Sequence, residues 1–164
     1  MDLRERVAYV ERSEVNYYTT PGSHTSLTVT QQVDSKTVGG IEVRFGDVAV
    51  SNQVTHFWRK QLFTEQMMDK TPLDLPETEL ATEAAWIVLP DDLVARTIGR
   101  GFDVPGTIHA IEHAAIGILP LFALCDRQDI GGVSHPSHPD TDNLAAIFIY
   151  DGYSGGVGLS RTAY

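Results

Sequence analysis

Cysteine is almost absent from this sequence of 164 residues, which contains one, Cys125. A single cysteine excludes an internal disulfide and a zinc site built from four cysteines of this chain, and it is typical of a reducing, cytosolic compartment. The N-terminus has no apolar run that would serve as a signal peptide, and no apolar stretch reaches the roughly 18 residues that span a bilayer. We therefore expect a soluble, cytoplasmic protein.

Basic residues are also scarce, since 12 lysines and arginines face 22 aspartates and glutamates, for a formal net charge of -10. This balance argues against a broad electrostatic clamp on a phosphate backbone. Local basic spots remain within the first sixty residues, at Arg4, Arg6, Arg12, Arg44, Arg59 and Lys60. The aromatic residues interleaved with Arg59 and Lys60 can either stack single-stranded bases or pack in a core or interface. They are Tyr17, Tyr18, Phe57 and Trp58.

Nucleotide-binding motifs are missing. Residues 151–158 are rich in glycine and come between a predicted buried strand and a predicted helix, where backbone amides can hold a phosphate. They match neither G-x-x-x-x-G-K-[ST] nor G-x-G-x-x-G, so nucleotide hydrolysis is not supported. Two interpretations stay open for Asp151, Gly155 and Gly156: a backbone contact with a phosphate group, or glycines that permit close packing or a positive φ.

β-branched and aromatic residues punctuated by turn formers dominate residues 6–68, a pattern that indicates antiparallel strands, including one at residues 7–10. The predicted turns are Pro21-Gly22-Ser23, Gly39-Gly40 and Gly46-Asp47. The last of them would pair residues 41–45 with 48–54 in a hairpin. A further strand is predicted at residues 80–89, after a connection at residues 69–78.

Helical periodicity begins after Pro90. The predicted elements are a short helix at residues 91–99, a helix at 108–124 with Thr107 as its N-cap, a loop at 131–143, a core strand at 145–150 and a helix opening near Val157. The second helix is apolar on nearly every side, which predicts full burial, and Pro120 should kink or split it.

The predicted fold class is α+β, with an antiparallel, β-rich N-terminal part packed with the buried, proline-interrupted helix and the C-terminal core strand. The length suits one domain over residues 1–164. We divide it into a β-rich part, residues 1–90, and a part of helix, loop and strand, residues 91–164.

An H-x-x-E-H motif, formed by His109, Glu112 and His113, lies on the second helix. Residues i and i+4 share a helix face, so both imidazoles can ligate one zinc ion while Glu112 polarises a bound water, as in inverted zincin peptidases. Two other interpretations stay open: histidines hydrogen-bonded within a core, or a mixed metal site of His109, His113 and Cys125, completed by His135 or Asp126.

Acidic residues surround Cys125 in the segment Cys125-Asp126-Arg127-Gln128-Asp129. A nucleophilic thiolate needs an adjacent base and an electropositive setting, so Cys125 is a poor nucleophile. The segment can form salt bridges and cap a turn. Alternatively, Asp126, Asp129 and Glu112 line a polar pocket against the helix.

Several blocks occur together here in the order in which they occur in a known family: residues 15–19 (VNYYT), 72–76 (PLDLP), 84–86 (AAW), 109–113 (HAIEH), 124–132 (LCDRQDIGG) and 147–158 (IFIYDGYSGGVG). On these residues the chain resembles the C-terminal zinc-binding domain (MZB-type) of MrfA-like DEAD/DEAH-box helicases, which are superfamily 2 DNA repair helicases. The resemblance covers nearly the whole chain and is most specific in its last fifty residues.

The resemblance implies an accessory domain without catalysis or cofactor of its own, supporting DNA binding or motor organisation in an ATP-dependent DNA repair helicase. The implied partners are the motor domains of the same polypeptide and, through them, DNA in the nucleoid. Zinc, ATP and Mg²⁺ are implied for the parent protein. The family's cysteine cluster is expected after the helix near Val157, so the chain is interpreted as a fragment cut before it.

Two other functions remain open. One is a small zinc-dependent hydrolase that uses the H-x-x-E-H motif; the other is a protein-interaction module with an acidic surface.

Overall fold

The computed structural model describes Glu5 and residues 7–164. In this part of the chain six strands are formed: β1 (Tyr17–Val38), β2 (Ile41–Gln61), β3 (Met67–Pro72), β4 (Thr78–Leu89), β5 (Ile130–His135) and β6 (Ala145–Asp151). Three α-helices accompany them: α1 (Asp91–Gly99), α2 (Val104–Ile118) and α3 (Leu159–Ala163). Antiparallel strands with separate helices confirm the predicted α+β class. No helix of the described residues is long and apolar enough to cross a membrane.

The chain divides into two compact units. Unit 1 comprises residues 1–24 and 54–76, and unit 2 comprises residues 25–53 and 77–164. In unit 1, β3 pairs antiparallel with the last part of β2, from His56 opposite Pro72 to Arg59 opposite Asp69. A bulge follows Arg59. The predicted connection at residues 69–78 was therefore wrong for residues 69–72, which belong to β3.

In unit 2 the strand order is β1-β2-β4-β6-β5. Strand β4 lies between β2 and β6, with Phe45 opposite Ala85 on one side and Ile149 opposite Ala85 on the other. Strand β5 pairs with β6, so that Gly132 lies opposite Ile149. Central strands bury both faces, and this is why residues 145–149 are continuously apolar and buried. The predicted core strand at residues 145–150 is confirmed.

Unit 2 has an apolar core on each face of its sheet. On one face, Trp86 stacks on Phe148 with ring centroids 5.6 Å apart. Around this pair is a cluster of buried residues: Leu27, Val48, Val50, Ala84, Val88 and Ala146. On the other face, α2 packs against β5 and β6. Its buried residues Ile108 and Ile116 meet the alternate residues Ile147 and Ile149 of β6.

Two of the three predicted turns were wrong, because β1 and β2 are long, uninterrupted strands. Residues 21–23 lie inside β1, and residues 46–47 lie inside β2. Gly46 is a glycine because the backbone of β1 passes close to it: a Cβ atom there would lie 2.0 Å from the carbonyl oxygen of Gln31. The turn at Gly39-Gly40 is confirmed, and both residues have positive φ.

Helix α2 differs from its prediction in three ways. Its N-cap is Asp103 and not Thr107, because the Asp103 side chain accepts the hydrogen bond of the first turn. It ends at Ile118, and Pro120 lies in a separate 3-10 turn, Leu119–Leu121, so the proline does split the predicted helix. The prediction of burial on all sides was wrong, since Ile111 and Ile118 are exposed.

The remaining differences concern short segments. Residues 8–10 are irregular, so the predicted strand at residues 7–10 was wrong. The β-rich segment was predicted to begin at Arg6, which lies outside the described residues. The predicted loop at residues 131–143 was wrong for its first five residues, which form β5. Helix α3 begins at Leu159, two residues after the predicted start. The prediction of one domain with a boundary after residue 90 remains a prediction.

Candidate functional site

The H-x-x-E-H motif lies on α2, whose first turn is well capped. The carboxylate of Asp103 accepts a hydrogen bond from the amide of Gly106 at 2.7 Å, and Pro105 occupies the first turn. His109 and His113 are one helical turn apart and share a face. The sequence therefore places both imidazoles side by side, as predicted.

Glu112 is the buried member of the motif, with 7% of its side chain exposed. Its Oε2 accepts a hydrogen bond from Ser134 Oγ at 2.6 Å and lies 3.2 Å from His109 Nδ1. Strand β5 approaches closely because of Gly132, where a Cβ atom would lie 2.7 Å from Glu112 Cγ. Two polar contacts and the β5 backbone thus hold this carboxylate in place.

The two imidazoles meet at their Nε2 atoms, which are 3.1 Å apart. Their rings are edge to face, with centroids 4.4 Å apart. In the His109 tautomer with its proton on Nδ1, the ring donates to Glu112 and the lone pair of Nε2 faces His113. One ligand atom from each of His109, Glu112 and His113 lies within 4.8 Å of the other two.

Cys125 lies apart from this cluster. In the part of the chain that the structure describes, the group of close potential ligands contains the two histidines and Glu112, without Cys125, Asp126 or His135. The thiol packs against the core of Ile116, Leu119, Ile130 and Ile149. Burial and the nearby carboxylates of Asp129, Asp126 and Asp151 raise the pKa of Cys125. A protonated thiol is a weak nucleophile and a weak metal ligand.

Asp126 and Asp129 close a 3-10 turn, Arg127–Asp129, that leads into β5. The carboxylate of Asp129 accepts hydrogen bonds from the Asp126 amide at 2.8 Å and from the Tyr153 hydroxyl at 2.5 Å. These two bonds, the stronger one from Tyr153, hold the pKa of Asp129 below its usual value. Asp126 and Asp129 therefore stabilise a turn. The hydrogen bonds of Glu112 go to His109 and Ser134 and not to these two carboxylates.

Asp151 is fully buried at the end of β6. Its carboxylate accepts backbone hydrogen bonds from Val157 at 2.6 Å, Leu159 at 3.1 Å and Ser160 at 2.6 Å. Burial alone would raise its pKa, but these hydrogen bonds outweigh burial and hold the pKa below its usual value. The carboxylate thus occupies the first turn of α3, the place where the sequence allowed a bound phosphate.

The glycines before α3 have the positive φ values that the sequence left open, +80° at Gly155 and +74° at Gly156. The amide of Gly155 donates to the carbonyl of Ala81 on β4 at 2.8 Å. At Gly156 a Cβ atom would lie 2.7 Å from the side chain of Glu83. The positive φ therefore favours glycine at both residues, close packing against Glu83 adds to it at Gly156, and the Gly155 amide is already engaged.

The aromatic and basic residues of unit 1 contact each other. The guanidinium of Arg59 bonds to the carboxylate of Asp69 and lies 5.4 Å from the centroid of the Tyr17 ring. The ammonium of Lys70 lies 4.7 Å from the centroid of the Trp58 ring. Pairing with Asp69 neutralises Arg59, which weakens the case for a phosphate contact at that residue.

Ser134 and His138 are the side chains that sequence reasoning missed. Ser134 lies on the same strand face as Gly132, two residues earlier. Because residues 131–143 were predicted as a loop, the alternating faces of a strand were not considered there. His138 is buried, with Nε2 3.0 Å from the carbonyl oxygen of Leu27 and its ring against Phe148. Nothing in the local sequence indicates that contact, because Leu27 is 111 residues away along the chain.

An apolar surface follows the motif helix. Its members are exposed side chains of α2 and of the turn after it: Ile111, Ile118, Leu121, Phe122 and Leu124. We call these five residues the α2 apolar surface. Leu121 and Phe122 are 80% and 74% exposed. Exposed apolar surface is typical of sites that bind another protein, a membrane or a ligand.

Comparison with known proteins identifies the C-terminal third of the chain. Residues 111–164 match the sequence model of the family described as MZB, the MrfA Zn-binding domain. This segment of the chain belongs to the MZB family. It contains β5, β6, α3 and the α2 apolar surface.

Similarity to MrfA-like helicases extends over the whole chain. The chain is 30% identical to an uncharacterized ATP-dependent helicase, YprA, of Bacillus subtilis, over all of this chain and 21% of that protein. It is 44% identical to an uncharacterized protein of Methanocaldococcus jannaschii, over 35% of this chain and 53% of that protein. The resemblance predicted from the sequence blocks is confirmed.

Solved structures of the DUF1998 helicase MrfA share the fold. A chain bound to DNA superposes with a TM-score of 0.68 at 30% identity, over 98% of this chain and 21% of that chain. A second, bound to DNA and AMPPNP, gives a TM-score of 0.58 at 29% identity, over 98% of this chain and 18% of that chain. The chain thus spans about a fifth of the length of the helicases it matches.

The name of the MZB family raises the question of where zinc would bind. Cys125 cannot form a cysteine site with other residues of this chain, because it is the single cysteine of the sequence. Its thiol is packed against apolar side chains and its pKa is raised, neither of which suits a zinc thiolate. Among the described residues, the imidazoles of His109 and His113 converge and fit a zinc ion, although His109 lies just before the segment that matches the MZB family.

Proposed function

We propose that the chain is an accessory, non-catalytic part of an ATP-dependent superfamily 2 DNA helicase of the DEAD/DEAH-box class that acts in DNA repair. It supports DNA binding or the arrangement of the motor domains, which belong to the same polypeptide. ATP with Mg²⁺ acts in the motor, and zinc binds in the parent protein. The helicase works in the cytoplasm and associates with the nucleoid when it acts on DNA.

The observation that carries this proposal is the match of nearly the whole chain to MrfA bound to DNA. Two features support it. The sequence has no phosphate-binding loop with lysine, so the motor activity would belong to other parts of the polypeptide. The helix N-terminus that follows the glycine-rich turn is occupied by the carboxylate of Asp151, which accepts from the amides of Val157, Leu159 and Ser160 and would compete with a nucleotide phosphate for them.

The purified chain should hydrolyse no ATP, with or without DNA, whereas the complete helicase should. Deleting residues 1–164 from the complete helicase should slow unwinding. Kinetic measurements on the deletion variant distinguish the two proposed roles. If the chain contacts DNA, its loss raises the Kd for DNA and preserves kcat at saturating DNA. If the chain arranges the motor domains, its loss lowers kcat. ATP turnover by the chain alone, or undiminished unwinding after the deletion, would contradict the proposal.

The α2 apolar surface should be covered by the rest of the helicase. Phe122→Glu should leave the isolated chain as stable as before, because the side chain is already exposed. In the complete helicase the change should remove burial worth about 1.5–3 kcal/mol and lower the Tm. Calorimetry of both proteins checks this.

A matched control is Ile98→Glu, which replaces an exposed apolar residue of α1 outside the surface and outside the MZB match. It should leave both Tm values unchanged. Equal Tm values for the complete helicase with and without Phe122→Glu would show that this surface is free in the assembled protein.

A further inference from the structure

Two imidazole nitrogens converge on α2 in the arrangement that a metal ion requires. Zinc lies at about 2.0–2.1 Å from each imidazole nitrogen, so two such nitrogens on one tetrahedral ion are roughly 3.3 Å apart. The Nε2 atoms of His109 and His113 are 3.1 Å apart. An ion can therefore enter between them with a small outward turn of two side chains that are both exposed.

The second observation is a buried carboxylate behind the first imidazole. Metal-binding histidines almost always donate the other ring N–H to a carboxylate, carbonyl or water, which sets the tautomer and the ring orientation. Here Nδ1 of His109 faces Oε2 of Glu112 at 3.2 Å, and Ser134 Oγ donates to the same oxygen at 2.6 Å. The carboxylate is buried and directs the lone pair of His109 Nε2 towards His113.

We propose that His109 and His113 bind a divalent transition-metal ion through their Nε2 atoms, with Glu112 as the positioning residue. Imidazole donors suit Zn²⁺, Ni²⁺ and Cu²⁺ and do not suit Mg²⁺ or Ca²⁺. Water or a donor from another segment completes the coordination. This site is independent of the helicase role and uses no cysteine. It also gives Glu112 a different task from that of a catalytic base, because its Oε2 is engaged by His109 and Ser134.

The purified chain, freed of metal with a chelator and dialysed, is titrated with ZnCl₂ and with NiCl₂ by calorimetry. We expect saturable binding of one ion per chain and an increase in Tm. Electron paramagnetic resonance with Cu²⁺ should show two coordinated nitrogens. MgCl₂ should give no heat of binding beyond dilution.

Variants identify the ligands. His109→Ala and His113→Ala should each weaken binding of Zn²⁺ and Ni²⁺ by about tenfold or more, and the spectrum of the Cu²⁺ that still binds should show one nitrogen fewer. Ser134→Ala should keep the two-nitrogen spectrum and weaken binding about tenfold, as removal of an outer hydrogen-bond partner does. His24→Ala and Cys125→Ser are the matched controls, the first an exposed histidine of β1, and neither should change the affinity.

Folding of every variant is checked by circular dichroism, and both histidines are exposed, so their replacement should leave the fold intact. The proposal is overturned if the wild-type chain shows no saturable binding, if binding persists in the variant lacking both histidines, or if Cys125→Ser abolishes it. Full affinity in Ser134→Ala and in Glu112→Gln would overturn the role given to Glu112.

Discussion

Replacing Asp151 by asparagine should lower the free energy of unfolding of unit 2 by about 2–4 kcal/mol. The carboxylate is fully buried and accepts three backbone hydrogen bonds from residues that begin α3. Hydrogen bonds to charged groups contribute more than neutral ones, and an amide group would direct two donors towards backbone amides that also donate. Urea denaturation, followed by tryptophan fluorescence, measures the change.

Asp47→Asn is the matched control, because it removes the same charge from an exposed residue of β2 in the same unit. It should change stability by less than about 0.5 kcal/mol. Hydrogen exchange supplies a local measurement: the amides of Val157 and Ser160 should lose protection in Asp151→Asn and keep it in Asp47→Asn. Unchanged protection of both amides would show that the carboxylate does not hold the start of α3.

The effect of Asp151→Asn should depend on pH in a stated direction. The pKa of Asp151 is lower in the folded chain than its usual value of about 3.9, so the ionised form favours folding. Its contribution is therefore complete above about pH 4 and is lost as the pH falls through the lower, folded-state pKa. The stability difference between wild type and variant should shrink in acid. A difference that grows as the pH falls would contradict the assignment.

Local sequence patterns predicted those features of the fold that depend on neighbouring residues. The continuous apolar run at residues 145–150 predicted a central strand, and Pro120 predicted the end of α2 because proline cannot donate within a helix. Glycine was misleading at Gly46. There it makes room for the carbonyl oxygen of Gln31. Neighbouring residues in the sequence do not indicate such a close approach between distant segments.

The candidate site divides in the same way. The spacing of His109, Glu112 and His113 predicted that they lie together, because residues three and four apart are neighbours on a helix. The sequence did not predict Ser134, since its contact with Glu112 depends on the pairing of β5 with β6 and the packing of α2 on both. The sequence singled out Asp151 but did not predict that its carboxylate accepts the backbone hydrogen bonds at the start of α3, because the glycines that follow it also allowed a contact with a phosphate group.

Gly132→Ala should destabilise unit 2 by about 1–3 kcal/mol, the cost of overpacking a filled interior. A Cβ atom at this residue would lie 2.7 Å from Glu112 Cγ, 2.8 Å from Glu112 Oε1 and 2.9 Å from Ile116 Cδ1. A flexible side chain would move away at little cost. Glu112 cannot, because Ser134 and His109 hold its carboxylate, so α2 must shift from β5 or break those contacts.

Gly117→Ala is the control that separates this clash from the general effect of adding a methyl group. Gly117 lies in α2 with nothing within 4 Å of a Cβ atom, so alanine there should stabilise the helix by up to about 1 kcal/mol. Two glycine-to-alanine changes in one unit should thus alter the free energy of unfolding, measured in urea, with opposite signs. If both stabilise the chain, β5 does not pack tightly against Glu112 of α2, and the orientation of His109 must have another cause.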